Sequence, residues 1–182
     1  MFRLIVGLGN PGREYAGTRH NAGFEVLDRL AALEAASFRL EKEWQAEVAT
    51  ARGVLLCKPV SFMNRSGEPA AALARYYRIA PPEILVVLDD VALPIGKLRI
   101  RTTGSSGGHN GLQSIIDSFG TEDVPRLRIG IGASEAATLT DHVLGRFTAQ
   151  ESRALDESLE RVLAAIEYAQ GNGAVAAMNK FN

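Results

Sequence analysis

The residues with the most chemistry to offer here are a few histidines, an acidic pair and a scatter of asparagines. His20, His109 and His142 are the three histidines, and a lone histidine is more often structural than catalytic. His20 stands out by its company. Asn10 follows the first apolar run, Asn21 follows His20 directly, Asn64 lies in a loop, Asn110 follows Gly107-Gly108-His109, and Asp89 closes the run Ile84 to Leu88. A neutral imidazole can take a proton from water near neutral pH. An adjacent carboxylate fixes its tautomer and stabilises the imidazolium that forms. Carboxamides can donate to a developing oxyanion and accept from a substrate amide. Such a set would activate water against an ester or amide. A plainer reading has Asp89 capping the following loop and the asparagines serving turns, and spacing alone leaves both open.

Other chemistries fit less well. There is no H-E-x-x-H, and the single cysteine, Cys57, has no partner ligand near it in sequence, so no metal centre is expected. No G-x-S-x-G elbow supports a serine nucleophile, and Ser105 and Ser106 lie in a glycine-rich loop that no apolar strand enters. Gly7-Leu8-Gly9-Asn10-Pro11-Gly12 does match the dinucleotide fingerprint G-x-G-x-x-G. That motif needs its last glycine in a helix whose N-terminus holds the pyrophosphate. Here Arg13 to Thr18 intervenes before any helical period begins, and Asp28 falls inside the helix rather than at a second strand end. A tight turn that uses glycine dihedrals is the expectation, with no cofactor.

A polyanion would find its cations on one stretch. Lys97, Arg99 and Arg101 share a strand face while Leu98 and Ile100 turn inward, and no acid falls between Gly96 and His109. Arg126 and Arg128 alternate in a later strand as candidates to extend that patch; the alternative is a solvated strand face. Glu151 to Glu167 carries five acids against two arginines, which places negative charge elsewhere.

These groups need a scaffold, and the apolar pattern supplies one. Phe2 to Leu8 reads as a buried strand ending in a glycine-rich turn. Phe24, Val26, Leu27, Leu30, Ala31 and Leu33 recur at helical spacing, which predicts a helix from about Asn21 to Ala36. Ala46 to Ala51 and Val54 to Cys57 read as a hairpin hinged at Arg52-Gly53. After the loop Val60 to Gly67, a short helix has Pro69 in its first turn and breaks at Pro81-Pro82. Ile84 to Leu88, Lys97 to Arg101 and Leu127 to Ile131 are further strands, with a helix near Leu112 to Phe119. Thr148 and Glu151 have capping-box spacing at the head of a long helix to about Gln170, stopped by Gly171. Interleaved strands and helices predict an α/β fold, a single domain over residues 1–182 with a twisted mixed β-sheet flanked by helices.

Composition sets the outer bounds. With 182 residues, 46% hydrophobic, 23% charged and a formal net charge of -1, the chain reads as one ordinary folded domain. Global charge does not announce a nucleic-acid binder, so any such partner must meet a local patch. One cysteine excludes an internal disulfide and suits a reducing cytosol. The N-terminal run lacks the flanks of a signal peptide, and no stretch approaches the roughly 18 apolar residues of a membrane span.

These residues resemble the bacterial-type peptidyl-tRNA hydrolase family. The resemblance is carried by Val6-Gly7-Leu8-Gly9-Asn10-Pro11-Gly12, Thr18-Arg19-His20-Asn21-Ala22-Gly23, Lys58-Pro59, Phe62-Met63-Asn64 with Ser66-Gly67, and Gly107-Gly108-His109-Asn110-Gly111-Leu112. Arg126 to Gly132 and the closing Ala177-Met178-Asn179-Lys180-Phe181-Asn182 also fit, so the motifs span nearly the whole chain in the family's order.

The resemblance implies a monomeric, cytoplasmic, cofactor-free enzyme with no obligatory protein partner. Its reaction would be hydrolysis of the ester between a peptide's C-terminus and the terminal ribose of tRNA. It implies that His20 accepts the proton, that Asp89 supports its basic form, and that Asn10 helps distinguish N-blocked from free aminoacyl-tRNA. Tyr15, Phe62, Asn64 and Asn110 match positions that contact the tRNA end or the peptide, and Met63 and His109 line the same cleft. Arg101 and Arg128 match positions expected to meet acceptor-stem phosphates, with Arg99 as a helper. Two departures stand out. Ala133 to Ala137 lacks the basic residue and Pro-Gly frequent after Gly132, which puts a phosphate grip from that loop in doubt, and Ala92 replaces a frequent carboxylate. A non-catalytic RNA-processing factor of the same fold is the competing class, and retention of His20, Asp89 and the asparagines speaks against it.

Overall fold

A computed structural model describes residues 1–133 and 138–182. Its two central strands are apolar on both sides, as parallel strands covered by helices must be. β1 (Leu4–Gly7) and β5 (Ile84–Asp90) are almost wholly buried and run parallel, Leu4 to Gly7 pairing with Ile84 to Val87. On the other flank of β1 lies β4 (Val54–Pro59), parallel to it and antiparallel to β3 (Ala46–Ala51) across the Arg52-Gly53 turn. Beyond β5 come β7 (Arg126–Gly130), parallel, and the antiparallel edge strand β6 (Leu98–Arg101). The short β2 (Arg39–Glu41) forms the opposite edge, giving one seven-stranded sheet of order β2-β3-β4-β1-β5-β7-β6. The sheet is mixed, as the hairpin required.

Two cores follow from the strand alternation. Ile5, Leu85, Val87, Leu127 and Ile129 pack on one face with α1 (Ala22–Leu33), α5 (Ala149–Asn172) and α6 (Ala174–Phe181). Leu4, Val6, Leu8, Val86 and Leu88 pack on the other with α2 (Gly67–Tyr76) and α3 (Asn110–Phe119). The short α4 (Leu139–Leu144) docks beside the turn that precedes α1, where Gly145 O accepts from Arg19 N–H at 3.0 Å. No described helix is long and apolar enough to cross a membrane.

The glycine motif earns its place through packing. A Cβ on Gly7 would lie 2.4 Å from Gly23 O, and one on Gly23 would lie 2.4 Å from Val87 O and 2.5 Å from Leu8 N. The N-terminus of α1 is therefore pressed onto the carboxyl ends of β1 and β5, and the turn Arg19–Asn21 ahead of it is held over them. After Gly12 the chain makes a single tight turn, Arg13–Tyr15, instead of the helix that dinucleotide binding requires.

Some expected boundaries moved. α1 ends at Leu33 rather than Ala36, because Ala35 takes a left-handed φ of 49°. α5 runs through Gly171 and stops at Gly173, whose φ is 85°; Gly171 is not the stop. The reciprocal cap between Thr148 and Glu151 forms as its spacing predicts. β2, α4 and α6 are additional elements. Residues 134–137, at the heart of the departing loop 133–140, lie outside the described residues.

Candidate active site

Four parallel strands point their carboxyl ends to one edge of the sheet, and β1 is where the chain's connections part toward opposite sides, a place where α/β sheets gather ligands. Asp89, at the end of β5, is 2% exposed. His20 Nδ1 lies 2.9 and 3.0 Å from its two oxygens, and His109 Nε2 lies 3.0 Å from Oδ1. The two imidazoles are neighbours, with ring centroids 5.0 Å apart and planes tilted by 51°. His109 is in this cluster because it caps α3, accepting Leu112 N–H on Nδ1 at 3.2 Å.

That cap decides the protons. A nitrogen that accepts carries a lone pair, so the His109 proton sits on Nε2 and donates to Asp89. His20 donates to the same carboxylate through Nδ1, which leaves its Nε2 with the lone pair and no hydrogen bond among the described residues. Of the two histidines, His20 alone presents a basic nitrogen. Burial by itself raises the Asp89 carboxyl pKa, but the attraction and hydrogen bonds of His109 and His20 outweigh it and hold the group well below the usual carboxylate range. Asp89 is a fixed negative charge at neutral pH. His20, Asp89 and His109 also place one potential metal-ligand atom each within 4.8 Å of one another. A cation there would take over the nitrogens that now hold Asp89 through protons.

Asn10 is joined to this cluster by Asn21, a role that sequence alone did not assign. Asn21 accepts Asn10 N–H at 2.8 Å and donates to Asn10 O at 3.0 Å, so the residue after His20 clamps the backbone of Asn10. Adjacency to His20 was the only signal. The Asn10 side chain accepts Met63 N–H on Oδ1 at 2.9 Å. Oδ1 is thus engaged on the loop after β4, while Nδ2, with no partner among the described residues, is open as a donor. Met63 is buried, while Phe62 beside it is 63% exposed and Asn64 is exposed. Asn110 is exposed at the first turn of α3, and Tyr15 is half-buried in the turn after Gly12, its carbonyl accepting from Thr18 Oγ1. A cleft of about 310 Å³ opens beside Asn10, walled by Gly12, Ala16, Phe24, Glu25 and Val60.

The arginines divide into two pairs across β6 and β7. Arg99 stands opposite Arg128, and Arg101 opposite Arg126. Lys97, Arg99 and Arg101 are exposed and make no ion pair among the described residues. Arg126 does not extend the basic patch. It is 1% exposed and spends its guanidinium on the carbonyls of Gly104, Glu122 and Val124, because loop 102–108 folds over it. Arg128 is partly exposed; it pairs with Asp90 at 3.2 Å and donates to Ser105 O and Ser106 O. His142, the third histidine, is buried away from the cluster with Nε2 on Gly132 O at 2.8 Å.

Comparisons with known proteins agree in one direction. The family model described as peptidyl-tRNA hydrolase matches residues 4–182. A peptidyl-tRNA hydrolase of Elusimicrobium minutum is 47% identical, with each chain covered in full, and one of Chloroflexus aggregans is 48% identical with 98% of each covered. The crystal structure of peptidyl-tRNA hydrolase from Acinetobacter baumannii superposes with a TM-score of 0.93 at 35% identity, over 100% of this chain and 94% of that one. On its sequence and its fold alike, the chain belongs to the peptidyl-tRNA hydrolase family.

Proposed function

We propose that the protein hydrolyses the ester joining the peptide of peptidyl-tRNA to the terminal ribose, and that His20 is its general base. The observation that carries this reading is the set of hydrogen-bond contacts around Asp89, which leaves His20 Nε2 without a partner among the described residues and facing outward from the carboxylate as the available basic nitrogen. In the first step Nε2 takes a proton from water while the water oxygen attacks the ester carbonyl. Asp89, already ionised, faces the imidazolium that forms and offsets its charge. Carboxamide donors, Asn10 Nδ2 with Asn64 and Asn110, meet the oxyanion and the peptide carbonyls. Collapse then breaks the bond to the ribose oxygen, and the imidazolium returns its proton to that leaving group. The peptide leaves as a carboxylic acid and the tRNA with its hydroxyl restored.

The strand order supports a direction for the substrate. The exposed cations of β6 lie on one side of Asp89, and the loop after β4, with Phe62, Met63 and Asn64, lies on the other. We place the acceptor stem over Arg101 and Arg128, with Arg99 beside them, and the peptide over Asn10, Tyr15 and the cleft next to them. A monomer acting in the cytoplasm without metal fits a substrate that moves through translation. The deciding assay is release of N-acetyl-aminoacid from N-acetyl-aminoacyl-tRNA, with and without a chelator, for wild type and His20→Ala. Turnover that survives chelation and collapses in the variant supports the reading. Full activity in His20→Ala overturns it, and loss on chelation reassigns the cluster to a metal.

A further inference from the structure

The closing residues of the chain resemble the family's, yet nothing in the proposed reaction uses them. Their structural role is specific. Asn182 follows the last turn of α6, where its N–H donates to Met178 O at 3.2 Å. From there its carboxamide reaches the outer edge of β6. Oδ1 accepts Ile100 N–H at 2.6 Å, and Nδ2 donates to Ile100 O at 3.1 Å. One side chain thus occupies both backbone groups that an eighth strand would have taken, and an edge left open is a pairing liability. Ile100 sits between Arg99 and Arg101. Its carbonyl is also the acceptor for Arg101 Nη1, again at 3.1 Å.

We propose that Asn182 is a positioning residue for the phosphate-binding face, fixing the edge of β6 and the carbonyl that holds the Arg101 guanidinium. The proposal rests on the reading that Arg101 meets tRNA phosphate. Two donors share one carbonyl with two lone pairs, so the Asn182 amide sets where that carbonyl points and hence where the guanidinium rests before substrate arrives. Without it, Arg101 reaches phosphate from a wider spread of rotamers, and binding bears the cost of ordering them.

The test pairs Asn182→Ala and Asn182→Asp with Arg101→Ala, measuring kcat and KM on N-acetyl-aminoacyl-tRNA at low salt. Asn182→Ala is expected to raise KM about fivefold, the cost of ordering one freed arginine side chain on binding, with kcat preserved. Asn182→Asp keeps the acceptor for Ile100 N–H but loses the donor to Ile100 O, so it raises KM as well. In the Arg101→Ala background the Asn182→Ala effect disappears, because the group it positions is gone. Amide hydrogen exchange at Ile100 quickens in Asn182→Ala. A KM that holds in both Asn182 variants while Arg101→Ala raises it overturns the proposal and leaves the phosphate reading standing. A lower kcat at unchanged KM assigns Asn182 to fold stability alone and overturns it too. If Arg101→Ala itself leaves KM and its salt dependence untouched, the phosphate reading fails and takes this proposal with it.

Discussion

Asn10→Asp isolates one atom. In the wild type Oδ1 accepts Met63 N–H at 2.9 Å while the backbone is clamped by Asn21. Aspartate keeps an acceptor for Met63, and the Asn21 side chain bonds only the main chain of residue 10, so the loop after β4 should hold its place. What changes is the other end, where an NH₂ donor becomes a carboxylate oxygen. A peptide carbonyl next to it loses its hydrogen bond and faces an acceptor in its place, a mismatch worth about 1–3 kcal/mol in all. That predicts roughly a tenfold to hundredfold loss in kcat/KM for N-acetyl-aminoacyl-tRNA. Free aminoacyl-tRNA carries an ammonium at the same place, which the new carboxylate attracts. The assay is therefore the ratio of kcat/KM for the two substrates in wild type and variant, and the ratio should fall at least as steeply as the first rate. An unchanged ratio, whatever happens to the absolute rates, refutes the argument and leaves Asn10 only as a turn residue.

Four further outcomes are expected. His20→Ala should lower kcat about 10²–10⁴-fold with tRNA affinity nearly intact, read by single-turnover rates beside a binding titration. Asp89 has a depressed carboxyl pKa, so its stabilising effect is complete above the unfolded value near pH 4 and fades as pH falls through the lower folded value. Urea unfolding from pH 6 down should accordingly show the gap between wild type and Asp89→Asn narrowing only below about pH 4; a gap that closes between pH 7 and 5 would contradict the assignment. Arg101→Ala should flatten the slope of log affinity against log salt by about one unit at little cost in stability. Arg128→Ala should add a stability loss of roughly 3 kcal/mol, since it strands the mostly buried Asp90 and frees two loop carbonyls.

Long periodic segments were legible in the sequence, whereas the central cluster was one of two readings that spacing left open and that only the family resemblance favoured. Ile84 to Leu88 followed by Asp89 reads as a buried strand that delivers a carboxylate to an end of the sheet, and His20 lies just ahead of a clear helical period. The tautomer choice was not legible, because it depends on the capping of α3 by His109, a contact made in space. Arg126 misled for a related reason. Charge alternation in a strand ordinarily marks a wet face, and nothing in the residue types says that loop 102–108 folds over it. β2 went unseen because Arg39-Leu40-Glu41 buries almost nothing and so has no apolar period to read. Gly171 and Gly173 are two residues apart, and which of them takes the positive φ that stops α5 depends on where α6 must begin.

The end of β5 has a consequence for how this site tolerates change. Asp89 and Asp90 are successive residues on one pleated strand, so their side chains leave opposite faces. One gathers the two histidines, and the other takes Arg128, which ties down loop 102–108. The pleat thus acts as a ruler with a step of one residue, setting the proton chemistry against the arginine-braced loop. Lengthening or shortening β5 by a single residue would swap the two carboxylates between faces, presenting the histidines' partner to the arginine and the arginine's partner to the histidines. Substitutions can retune either side separately, whereas an insertion or deletion in this strand shifts both carboxylates at once.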